Sequence, residues 1–146
     1  MEKKFRLESI LNLREHVLKN ERDKLIYLKN IKDELLDRKK QINYTIKENV
    51  NELEILKNKG MFEYVSIYEN YIANMNLKIE EIDRCLKKID IEIERQMNIV
   101  MQANKDKKIM EKLKENHKDS YENYQKYIEN KLIDEVNTIR YYEKNQ

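Results

Sequence analysis

Two histidines, one cysteine and several adjacent carboxylates are the side chains in this sequence with reactive chemistry to offer. His16 and His117 would hold a metal ion only if further ligands converged on them, because zinc sites use three or four. No cysteine or acidic residue stands at helical metal-site spacing from either, so both read as solvated surface histidines. Cys85 is the sole cysteine. No histidine approaches it to act as a base, and it reads as a half-buried bystander rather than a nucleophile. Its solitude also excludes an internal disulfide framework and fits a reducing cytosol. Adjacent acids such as Glu80 and Glu81 would need an enclosed pocket to separate their pKa values. A phosphate-cradling loop needs several glycines, and Gly60 is the only one. Ten of the twelve aromatics are tyrosines, and most fall at helical spacing, where they serve packing or interfaces better than base stacking. The expectation is therefore a protein without catalytic, metal or cofactor-binding residues, and not an enzyme.

The elements that carry these residues follow from composition and periodicity. The 146 residues are 40% charged and 40% hydrophobic, with no Pro or Trp. A globule needs turns, and turns need Gly, Pro or clustered Asn and Ser. Abundant Lys, Glu, Leu and Ile without such punctuation reads as long helices. The 30 basic and 28 acidic residues are interspersed, as on a solvated helical surface, and lack the net basic stripe of a nucleic-acid binder. No apolar run approaches the roughly 20 residues that span a bilayer, and Met1–Leu13 lacks the uninterrupted apolar stretch of a secretory signal.

Apolar residues then recur in steps of three and four. Leu25, Leu28, Leu35, Ile42, Ile46, Leu53 and Leu56 form one heptad seam, with Lys32, Lys39 and Asn49 at its remaining positions. Leu7, Leu11 and Leu18 continue that register upstream. A second seam runs through Val65, Tyr68, Ile72, Met75, Ile79, Ile82, Leu86, Ile89 and Ile93, and on through Gln96, Val100, Ala103, Lys107 and Met110. Gly60 lies between the two, where a left-handed residue would stop a helix. Folding there sets Leu56 against Val65, Ile46 against Met75, Ile42 against Ile79 and Leu28 against Ile93. Lys32, Lys39 and Asn49 fall opposite Ile89, Ile82 and Ile72.

The expected fold is all-α: an antiparallel two-helix coiled-coil hairpin with a C-terminal helical overhang, residues 1–146 forming one hairpin. Helix 1 should cover about 5–57, the turn about 58–61, and helix 2 about 62–143. At about 1.5 Å per residue the arms would measure roughly 80 and 120 Å. Beyond about residue 116 the second helix should run out of partner. It nevertheless keeps an apolar stripe of Tyr121, Tyr124, Ile128, Leu132, Val136 and Ile139, which needs something to bury it.

Four segments carry a family likeness. They are Phe5-Arg6-Leu7-Glu8-Ser9-Ile10-Leu11-Asn12-Leu13-Arg14-Glu15, Tyr68-Glu69-Asn70-Tyr71-Ile72, the run from Lys105 to His117, and Lys131-Leu132-Ile133-Asp134-Glu135. In this order they resemble FliJ, the coiled-coil protein of the flagellar type III export apparatus, along the whole chain. The departure is a middle rich in Ile, Asn and Lys. The resemblance implies a stalk that inserts into the ring of the export ATPase hexamer, promotes its assembly and activity, and contacts the export gate membrane protein. Export chaperones are further implied partners.

By analogy with rotary stalks, Leu7, Leu11, Arg14, Tyr121, Tyr124, Ile128 and Leu132 would meet the ATPase. Tyr71, Met75 and Lys78 match the patch the family uses toward the gate, although the seam position of Met75 equally suits packing within the hairpin. No nucleic acid and no direct membrane insertion are expected. The free protein should be a monomer, cytoplasmic and peripheral to the inner face of the membrane at the flagellar base. The alternatives are a stalk or rod subunit of a related secretion or rotary ATPase, and a chaperone-like or structural coiled-coil adaptor.

Overall fold

The computed structural model describes residues 3–145. Two helices, α1 (Glu8–Asn58) and α2 (Val65–Lys144), pack against each other as a hairpin, and a single 3₁₀ turn, Phe62–Tyr64, lies between them. There is no strand among the described residues.

The turn is set by one residue. Gly60 has φ +73°. The Gly60 N–H donates to Lys57 O at 3.2 Å and the Met61 N–H to Leu56 O at 2.9 Å. This pair of bonds closes the last turn of α1 and satisfies carbonyls that the helix end would otherwise orphan. A Cβ at this position would stand 4.0 Å from the Phe62 ring, so backbone conformation, and not space, demands glycine.

The chain divides into two compact units, residues 21–100 and residues 1–20 with 101–146. In the first unit the burial pattern follows the two seams. Met75, Ile82, Ile93 and Gln96 are buried, and every other seam position from Leu25 to Val100 is half-buried. The seam lysines are neutralised by residues beside the isoleucines they face. Lys39 Nζ lies 2.6 Å from Asp83 Oδ1, and Lys32 Nζ lies 2.7 Å from Asp90 Oδ1. Each Lys stem covers apolar surface while its ammonium meets a carboxylate at the hairpin edge. Both pairs are partly exposed, so each is worth well under about 1 kcal/mol and acts chiefly to set register.

Gln96 is the buried polar residue of this unit. Its Nε2 donates to Glu21 O at 2.9 Å and to the Glu21 carboxylate. That bond holds the Glu21 carboxyl below its ordinary pKa of 4.5, with Lys24 adding to the effect and desolvation opposing it. A lowered folded-state pKa means a contribution fully present above the ordinary value and lost as pH falls through the folded one. Glu21→Gln should therefore be less stable than the parent at neutral pH, and the gap should close in urea titrations run below pH 4.5.

In the second unit, Leu11, Leu18, Ala103 and Met110 form the buried layer, with Leu18 only 2% exposed. Arg14 pairs with Asp106 at 3.6 Å and Lys114 with Glu8 at 3.0 Å. α1 starts at Glu8, later than the periodicity suggests, because the N-terminal segment leaves the helical path. The Glu8 N–H closes back onto Phe5 O at 3.2 Å.

Candidate docking surface

The surface of interest is built on the unit formed by residues 1–20 and 101–146. Residues 3–7 lie beside α2, and the Phe5 ring meets the His117 ring with centroids 5.7 Å apart at 45°. A cleft of about 760 Å³ opens here, lined among others by Phe5, Leu11, His117 and Tyr121, with Lys3, Lys4, Glu8, Lys114 and Glu122 around it. Its apolar floor and mixed-charge wall suit a protein side chain better than a small anion. His117 Nε2 is shielded from solvent and has no hydrogen-bond partner among the described residues. The sequence suggests a solvated histidine; in the structure His117 is half-buried, with the tilted Phe5 ring against it.

Beyond the cleft, α2 continues along the amphipathic stripe. Tyr121 and Ile128 are half-buried and Tyr124 is 39% exposed. From residue 129 to residue 145 every position is exposed, including Leu132 at 56%, Val136 and Ile139. Tyr142 extends the stripe by one further turn, and Tyr127, Ile133 and Tyr141 add exposed apolar area off it. So large an uncovered apolar face on a charged protein is the kind of surface that partners cover.

The residues expected to meet the ATPase fall into different environments. Tyr124 and Leu132 are open, Leu7 is exposed at the start of α1, and Tyr121 and Ile128 offer one side each. Arg14 is engaged with Asp106. Leu11 is 4% exposed, so its side chain supports the cleft from below. In the other unit, Tyr71 and Lys78 are exposed on α2, and Met75 between them is 7% exposed and belongs to the hairpin core. A partner there would meet Tyr71 and Lys78, with Met75 holding the helix that presents them.

Cys85 is exposed, against the half-buried placement that its position beside Leu86 suggests; it sits on the solvent side of that seam residue. Among the described residues, no group of three or more His, Cys, Asp or Glu side chains is placed to hold a metal ion. No described helix is long and apolar enough to cross a membrane. Phe5 lies outside any seam; the hairpin register sets residue 5 near residue 116, but gives no sign of the ring contact with His117.

The family model described as flagellar FliJ protein matches residues 3–146. Comparison with curated proteins and with solved structures gave no match. A match of that extent, on a helical hairpin, places the protein in flagellar export and biogenesis: the chain belongs to the FliJ family.

Proposed function

We propose that this protein acts as a stalk-like docking element of flagellar export, inserting the exposed stripe of α2 into the ring of the export ATPase and so promoting ring assembly and ATP hydrolysis. The observation that carries this reading is the run of exposed apolar residues from Leu132 to Ile139, continuous with Tyr124 and the Phe5 cleft. A ring's central hole supplies the apolar walls that this face lacks. The export gate is engaged separately, through Tyr71 and Lys78. In this role the protein is peripheral to the inner face of the membrane at the flagellar base, and chaperones of exported subunits are further partners.

The test is the ATP hydrolysis rate of the cognate flagellar export ATPase, measured alone, with the full chain, and with a chain truncated after Glu115. Stimulation by the full chain and its loss on truncation are expected. Equal stimulation by both forms would remove the stripe from the contact. No stimulation by either would favour the adaptor reading. Retention of the gate's cytoplasmic portion by the Tyr71→Ala, Lys78→Ala variant would likewise sink the gate assignment.

A further inference from the structure

The stripe on α2 is self-complementary when read backwards. Starting at Leu132 and moving outward, Ile128 is matched by Val136, Tyr124 by Ile139, and Tyr121 by Tyr142. Two such helices laid antiparallel, with a two-fold axis beside Leu132, would set each residue against its counterpart. The apolar layers would then repeat on both sides of the axis. This is the condition for an isologous interface, in which one patch meets itself.

The charges beside the stripe obey the same symmetry. At about 100° per residue, Lys131 stands at one edge of the stripe with Glu135 just inside that edge, and Glu122 and Arg140 flank the other edge. In the antiparallel arrangement, Lys131 of one copy comes beside Glu135 of the other, and Glu122 beside Arg140. Each pair occurs twice. Among the described residues, none of these four side chains has an ion-pair partner within its own chain. Residues 118–145 extend about 40 Å at about 1.5 Å per residue. Two amphipathic helices paired over that length bury on the order of 1,200 Å², the lower edge of the range for specific interfaces.

We infer that the exposed stripe of α2 is also a self-association surface, pairing two copies of this chain antiparallel about Leu132. This departs from the monomer expected of the free protein. It stands independently of the ATPase reading, and it adds a consequence to it. The dimer covers the residues that a ring would take, so self-pairing is a holding form that the ring must open. Docking and dimerisation are then mutually exclusive, and ATPase stimulation falls as the chain concentration passes its dimer dissociation constant.

The experiment uses the full chain alone, with Cys85→Ser as background so that introduced thiols are the only ones. Leu132→Cys should cross-link to itself under mild oxidation, because the axis sets the two Cα atoms within disulfide reach. Tyr121→Cys should not cross-link alone but should do so when mixed with Tyr142→Cys. Sedimentation equilibrium supplies the second readout. Glu122→Lys and Arg140→Glu should each weaken the dimer about five- to ten-fold, through loss of two reciprocal pairs and the repulsion that replaces them; combining them should restore it. A monomer at every concentration overturns the inference. Ready self-cross-linking of Tyr121→Cys overturns the antiparallel register. Neither outcome involves the ATPase, so the docking reading stands or falls on its own assay.

Discussion

Replacing Tyr124 and Ile128 together with Asp should abolish binding to the export ATPase while leaving the helical circular dichroism of the protein nearly unchanged. The two side chains lie one turn apart on α2, Tyr124 39% exposed and Ile128 half-buried. Neither belongs to the buried layer of Leu11, Leu18, Ala103 and Met110 that holds this unit. In the free protein both carboxylates remain hydrated, so the cost to folding is limited to helix propensity, about 0.5 kcal/mol for each Asp. In a docked complex they would sit at the centre of an apolar contact with no cation to meet them. Burying an unpaired charge costs several kcal/mol, and central aromatic anchors are where binding energy concentrates, at about 2 kcal/mol or more each. A fall in affinity of at least about a hundred-fold follows. Undiminished binding, measured by pull-down or by ATPase stimulation, would show that the stripe is not the contact. The same change should also dissociate the self-paired form, and the cysteine pairs and charge swap separate the two effects.

Ile93→Asp should have the opposite profile, melting the hairpin formed by residues 21–100. Ile93 is 9% exposed and lies one turn before Gln96, whose amide is committed to Glu21. A carboxylate at 93 would be shielded from water, with no cation at the neighbouring positions of its own helix face, Ile89, Asp90, Gln96 and Met97. The expected loss is about 3–5 kcal/mol, a large fraction of the 5–15 kcal/mol that domains possess. Ile93→Val, which keeps the position apolar, should cost only about 0.5–1.5 kcal/mol. Thermal unfolding followed at 222 nm checks both. An Asp variant that melts with the parent would mean that Ile93 is not part of the seam. Seam positions such as Leu35 and Ile79 are half-buried and should respond more weakly. Ile82 is a poorer probe despite its burial, because the Lys39 ammonium that pairs with Asp83 stands ready to neutralise an Asp there.

Much of the helical architecture could be read directly from the order of residues. The three-and-four spacing from Leu25 to Leu56 and from Val65 to Met110 names the positions that the structure buries or half-buries. Gly60 marks the place where α1 ends, and it is the one glycine with a positive φ. Both signals are local. A heptad repeat dictates which face of a helix turns inward whatever the partner, and one glycine between two seams leaves a single place to fold. The exposure of the stripe from Leu132 onward was legible for the same reason, since α1 has too few residues to cover it.

Other features needed the folded chain. That Lys32 and Lys39 find Asp90 and Asp83, rather than reaching water alone, depends on which rotamers the paired helices permit. The Glu21–Gln96 bond joins residues 75 apart in sequence, one of them outside any apolar pattern. The register brings residue 5 near residue 116, but the ring contact of Phe5 with His117 is made from a non-helical segment whose side-chain directions periodicity does not give. That contact turns a histidine that reads as solvated into the wall of a cleft. The family likeness offers Leu11 as a contact residue, whereas its place on the seam predicts burial, and the structure buries it. Spacing along one helix determines the direction of each side chain. What that side chain meets is decided only when the second helix and the chain's N-terminal segment arrive beside it.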